Sequence, residues 1–152
     1  MTATSSHECR WFLHLSAAVA LATGLGLVAP AALAASHSSL PALQHEGKVA
    51  FMSGGIGDRE AQAMKQAAAE YPLEVEFLKK EANGRAAYLA ADEVTIRDHA
   101  GKTVLQTTSE GPFLLAKLPP GHYLVTAVNQ KVSKQREIDI AKDAHRDVVF
   151  EW

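Results

Sequence analysis

Residues 118–128 read Leu118-Pro119-Pro120-Gly121-His122-Tyr123-Leu124-Val125-Thr126-Ala127-Val128, and this stretch decides the fold. Two prolines with preset φ and a glycine able to take positive φ make a turn, and Pro120-Gly121 suits the two central positions of a type II turn. The residues after it alternate. Tyr123, Val125 and Ala127 fall on one face and Leu124 and Val128 on the other. A strand that is apolar on both faces predicts a central place in a sheet.

Working outward, the same period of two recurs in residues 94–96, 103–108, 113–116, 137–140 and 148–152. Asn83-Gly84, Asp98-His99-Ala100-Gly101 and Glu110-Gly111-Pro112 mark turns between such segments. Regular short strands with these turns predict a mostly β, antiparallel sandwich of about seven strands. On the N-terminal side, the apolar run 49–52 leads into Ser53-Gly54-Gly55-Ile56-Gly57 and then into residues 58–71, which predict one α-helix. Met64, Ala67, Ala68 and Tyr71 recur at helical spacing, and Pro72 stops the helix. Leu73, Val75 and Phe77 then alternate with Glu74 and Glu76 as a strand. The sequence leaves open whether segment 48–80 shares the sandwich.

The chain has 152 residues, 47% of them hydrophobic, with 15 Lys+Arg against 17 Asp+Glu and a formal net charge of -2. This is room for one domain, and no basic field exists for nucleic acid or anionic lipid. Composition also excludes collagen-like, coiled-coil and disulfide-rich classes. Residues 1–34 read as a secretory signal: polar up to Arg10, apolar over 11–28, then small residues in which Ala32 and Ala34 fit the A-x-A cleavage rule. The alternative is an uncleaved anchor, since 11–28 is just long enough to span a bilayer. Either outcome predicts a periplasmic or secreted location for the rest. Cleavage removes Cys9, the only cysteine, so the processed chain would hold no disulfide and no thiolate ligand. Residues 35–47 read as a flexible leader, and 48–152 as a single domain.

The segments Val94-Thr95-Ile96-Arg97-Asp98, Gly101, Val104, Ser109, Gly111-Pro112-Phe113 and Leu118-Pro119-Pro120-Gly121-His122-Tyr123-Leu124-Val125 resemble the carboxypeptidase regulatory-like domain. That domain is a transthyretin-like (prealbumin-like) β-sandwich, here in what reads as a secreted bacterial protein. The resemblance covers residues 88–152. It implies that Gly101, Gly111, Pro112, Leu118, Pro119, Pro120, Gly121 and Tyr123 form a structural motif. It further implies a non-catalytic module of the kind found beside peptidases or on bacterial envelope proteins, with links to carbohydrate-binding sandwiches, and it carries over no catalytic residue.

One candidate ligand site is Gly54, Gly55, Gly57, Asp58 and Glu60, where a glycine turn before a helix N-terminus exposes backbone N–H groups to an anion. It matches neither nucleotide fingerprint: Glu60 stands where G-x-G-x-x-G needs its last glycine, and no Gly-Lys-Ser/Thr follows. A structural reading competes, in which Glu60 caps the helix around Gly57 or Asp58. The pairs Glu74/Glu76 and Glu137/Asp139 share strand faces beside Lys79, Lys80 and Arg136, as a solvated, charge-balanced surface would. His37, His45, His99, His122 and His145 show no metal-ligand spacing, and Ser53, Ser109 and Ser133 lie in no nucleophile elbow. No cofactor or metal is expected. Val148, Phe150 and Trp152 share a face, which predicts that Trp152 closes the last strand.

These readings predict an exported, non-catalytic binding or accessory module of the cell envelope, acting through protein contact at a sheet edge or through its turns. The alternative is a periplasmic small-ligand or carbohydrate-binding protein. The expected partner is an envelope protein, with no nucleic acid, and with a membrane only through the signal segment if it is uncleaved.

Overall fold

A computed structural model describes residues 40–152. The expected signal segment and its cleavage residues Ala32 and Ala34 lie outside the described residues, as does the first part of the expected leader. The described elements are β1 (Gln44–Glu46), β2 (Val49–Gly54), α1 (Asp58–Ala67) with a following 3₁₀ turn (Ala68–Glu70), β3 (Leu73–Lys80), β4 (Ala86–Tyr88), β5 (Glu93–Asp98), β6 (Thr103–Thr107), β7 (Phe113–Lys117), β8 (Gly121–Asn129), β9 (Val132–Ile140) and β10 (Arg146–Glu151).

They form a mostly β structure of two sheets. The six-stranded sheet runs β1-β2-β7-β3-β10 with β4 also against β3, and the four-stranded sheet runs β6-β5-β8-β9. Every pairing is antiparallel except β10 with β3, which is parallel. Alternation sends Phe51, Leu73, Val75, Phe77, Leu114, Ala116, Val148 and Phe150 from one sheet against Val94, Ile96, Leu105, Val125, Ala127 and Ile138 from the other. Their burial is the main favourable term holding the sheets together. β8 lies between β5 and β9, the central place that its two apolar faces predict.

The described strands number ten where the sequence predicts about seven, because three-residue pieces such as β1 and β4 are too short to show a period. Segment 48–80 is part of the sandwich: β2 pairs β7, and β7 pairs β3. Strand structure already begins within the expected leader, at Gln44, which is paired with Phe51. β7 is buried on both faces, because Phe113 and Leu115 turn outward under α1 and meet Met52, Met64, Ala68 and Tyr71 in a second core. The α-helix ends at Ala67 and tightens into the 3₁₀ turn, short of the expected Tyr71. Pro72 forces the preceding residue toward extended φ/ψ, and Tyr71 is extended at φ -113°, ψ 134°.

Two turns depart from expectation. Pro120-Gly121 does not build a type II turn, since Gly121 has no positive φ; it opens β8 opposite Ile140. The Tyr123 hydroxyl donates to the Pro119 carbonyl at 2.9 Å and braces this corner instead. The β8–β9 hairpin turns on Gln130 and Lys131, both left-handed at φ 47° and 68°. No glycine announces it. The Gln130 amide donates to Asp92 (2.7 Å) and the Asn129 side chain to the Ala90 carbonyl (3.0 Å), contacts from β5's approach that hold the turn.

Candidate functional site

The glycine corner between β2 and α1 is built from mutual close approach. A Cβ on Gly111 would lie 2.3 Å from the Gly54 carbonyl oxygen, one on Gly54 would lie 2.4 Å from Glu60 Oε1, and one on Gly55 would lie 2.4 Å from the Phe113 ring. Glycine is therefore required by space at all three positions, with Gly55 also at φ 98°. Glu60, in the first turn of α1, folds back and accepts the Gly55 amide at 2.7 Å and the Ile56 amide at 3.4 Å. Its carboxylate thus holds the donors that an external anion would need. The capping reading has the right residue but the wrong donors, since Glu60 reaches past Gly57 to Gly55 and Ile56. Gly57 is the N-cap at φ 84° with its carbonyl accepting Ala61, and Asp58 is exposed in the first turn, where its charge suits the helix dipole.

Behind this corner lie two buried polar side chains, Ser53 and Ser109. The Glu110 amide donates to Ser53 Oγ (3.0 Å), the two hydroxyls are 3.1 Å apart, and Ser109 donates to the Gly111 carbonyl. Read in one direction, amide to Ser53 to Ser109 to carbonyl, every proton has an acceptor. These serines are consumed in tying the 109–111 loop to the end of β2. The residues of the expected motif play comparable parts: Gly101 takes φ 76° in a turn whose Asp98 carboxylate accepts the Ala100 and Lys102 amides, and Leu118 is buried in the main core.

A cleft of about 670 Å³ lies against the four-stranded sheet and is lined by Arg97, His99, His122, Glu137 and Asp139 among others. His122 and Asp139 are cross-strand neighbours in direct contact, but both are strongly exposed, so the pair is well screened by water. Among the described residues no three His, Cys, Asp or Glu side chains are grouped to hold a metal. The aromatic side chains mostly pack inward. Trp152 lies against Phe77 and Phe150 with its indole N–H on the Val132 carbonyl, whereas Tyr88 is 51% exposed and accepts a hydrogen bond from Lys65.

The two flanks of the sandwich differ in how they treat unpaired backbone. On the β1/β6 flank, β1 is only three residues long, and the Gln106 amide of edge strand β6 donates to the Glu46 carboxylate at 3.0 Å. On the β9/β10 flank the protection is partial. The Lys134 ammonium covers the Glu151 carbonyl and Arg136 donates to the Gln135 carbonyl. The remainder is a groove of about 340 Å³ between residues 136–139 of β9 and 146–149 of β10. The Arg146 amide bonds Pro72, the Trp152 amide bonds Leu78, and the Lys80 amide bonds the Trp152 carbonyl. Even-numbered residues of β10 therefore face β3, and the N–H and C=O groups of Asp147 and Val149 point into the groove.

The outer face of β3 and β10 carries Glu74, Glu76, Asp147 and Glu151, because Val75, Phe77, Val148 and Phe150 take the inner one. Of the cations that the sequence sets beside these carboxylates, Lys80 shares this face, Lys79 alternates to the other side and Arg136 stacks over Phe150. Burial, and then the neighbouring Asp147, push the Glu74 carboxyl above its ordinary value, against the opposing pull of His145 3.4 Å away. Sequence reasoning named Glu74 and Glu76 but not Asp147 and Val149, whose significance depends on which strand lies beside them. Set against known proteins, the chain matches no family model and no curated protein.

Proposed function

We propose that this chain is an exported, non-catalytic binding module of the cell envelope that works by protein contact, taking an extended segment of a partner onto the free edge of β10. The observation that carries this reading is the outward-pointing, unpaired backbone of Asp147 and Val149 beside an open groove. The signal-like pattern of residues 1–34 supports export, and a periplasmic or secreted place follows from it. The motif of Gly101, Gly111-Pro112 and Leu118–Tyr123, set in a two-sheet sandwich, supports kinship with carboxypeptidase regulatory-like, transthyretin-like domains. The side chains of a type that suits chemistry, Ser53, Ser109 and Glu60, are engaged in structural hydrogen bonds.

The test is capture from an envelope extract of the protein's own source, with a photo-crosslinker placed at residue 147. A protein crosslinked there by the wild type and lost on Val149→Pro supports the reading. A glycan or small solute retained without any crosslinked protein overturns it in favour of ligand binding, for which the cleft at His122 and Asp139 is the candidate place.

A further inference from the structure

We infer that the segment accepted at β10 is a strand of another protein with Lys or Arg at the alternate positions that face the acidic outer surface. This rests on the strand-accepting reading above and adds the chemistry of the partner. A strand laid beside β10 has two faces. One continues the outer surface, where it meets Asp147, Val149 and Glu151 directly, with Glu74 and Glu76 one strand further in. The other turns into the groove, toward Val148 and Ile138. The outer neighbours are carboxylates on either side of Val149, which is 38% exposed. Lys65 and His145 neighbour Glu74 or Glu76 of β3, Lys80 ends β3, and Lys134 reaches the edge only at the Glu151 carbonyl, so no cation flanks the edge at Asp147 on its outer side. Opposite charges directly across an antiparallel pair are stabilising and like charges are not. Alternate cations therefore answer the outer face. The groove wall carries both signs, Arg136 and Arg146 beside Glu137 and Asp139, and sets no charge at the intervening positions.

The same rule speaks against a second copy of this chain. Two β10 strands paired antiparallel about Val149 would set Asp147 of each opposite Glu151 of the other, twice over. An acidic edge of this kind repels itself and selects a basic partner.

The experiment uses the purified full chain and three synthetic extended peptides of equal length. They share alternating apolar residues and carry Lys, Ser or Glu at the intervening positions. Fluorescence anisotropy reads affinity, and amide hydrogen exchange reads protection of Asp147 and Val149. The expected result is binding of the Lys peptide about tenfold tighter than the Ser peptide, for two cross-strand pairs. Binding of the Glu peptide should be weaker still. The Lys peptide should slow exchange at Asp147 and Val149, and Asp147→Asn should weaken it about threefold. Val149→Pro should abolish it. Equal binding of the Lys and Ser peptides, both lost on Val149→Pro, overturns the charge inference and leaves the strand-accepting reading standing. Binding of the Lys peptide without protection at Val149 overturns both, because it reports only attraction to an acidic surface. Failure of all three peptides, or self-association of the chain that Val149→Pro removes, also overturns the inference; the second outcome makes another copy the occupant.

Discussion

The glycine corner at Gly54–Glu60 and the free edge at Asp147–Val149 are opposites. The corner looks like a ligand loop in the sequence, yet its donors are already taken: Glu60 holds the Gly55 and Ile56 amides, and Ser53 and Ser109 close a buried chain of hydrogen bonds. The edge has no motif at all, yet its backbone groups are unspent. A backbone polar group facing open solvent keeps its capacity to bond a partner, whereas one satisfied internally contributes to stability and not to binding. The contrast locates function by asking where hydrogen bonds are missing, and it can be broken or sharpened by substitution.

The largest effect is expected at the corner. Gly111→Ala drives a Cβ to within 2.3 Å of the Gly54 carbonyl, which is main chain and cannot swing aside as a side chain would. A loss of about 3 kcal/mol or more, read by chemical denaturation, is expected. A loss below about 1 kcal/mol would mean that the corner is loose, and the contrast with the edge would weaken.

Next in size is Glu60→Ala, which strips the Gly55 and Ile56 amides of their acceptor. A loss of about 1–2 kcal/mol is expected. The variant also sharpens the comparison: once the carboxylate is gone, added sulfate should raise the melting temperature of Glu60→Ala more than that of the wild type, beyond the general stabilisation that sulfate gives any fold. Sulfate stabilising both equally would show that Glu60 does not occupy an anion's place.

How much of this was legible varies with range. The sandwich, the central place of β8 and the closure by Trp152 follow from alternation and composition, which are local properties. The parallel pairing of β10 with β3 joins residues far apart in the chain, and nothing within Arg146–Glu151 specifies it. The exposure of Asp147 and Val149 follows from that pairing and was therefore hidden. The hairpin at Gln130-Lys131 was hidden for a different reason: its left-handed pair is stabilised by Asp92 and Asn129, and glycine is absent. At the corner, Glu60 was visible as a cap, but which amides it takes depends on how Phe113 and Pro112 pack against Gly55.

A smaller effect than at Gly111 or Glu60 is expected at Glu74, on the face beside the edge. Burial and Asp147 raise its carboxyl pKa in the folded state. A group raised on folding favours the native state fully at pH below its unfolded pKa, and that contribution fades as pH climbs through the folded value. Wild-type stability should therefore decline over this interval, and Glu74→Gln should flatten the decline. The His145 Nδ1 bonds the Tyr71 carbonyl at 2.8 Å, which holds the ring with Nε2 3.4 Å from Glu74. A stability profile unchanged by Glu74→Gln would mean that the acidic face is fully relaxed by water.

The smallest effect on stability is expected where the proposed effect on binding is largest. Val149→Pro removes one N–H, and the alternation fixed by Arg146 and Trp152 points that N–H away from β3. No ladder bond is lost, and proline is tolerated on an edge strand when its missing donor faces outward. Stability should therefore stay within about 0.5 kcal/mol of the wild type. A substitution that is nearly silent in folding but decisive in binding distinguishes a recognition edge from a structural one. If Val149→Pro instead unfolds the chain, then the Val149 amide is bonded within the fold, the edge of β10 is already filled, and the contrast between corner and edge collapses.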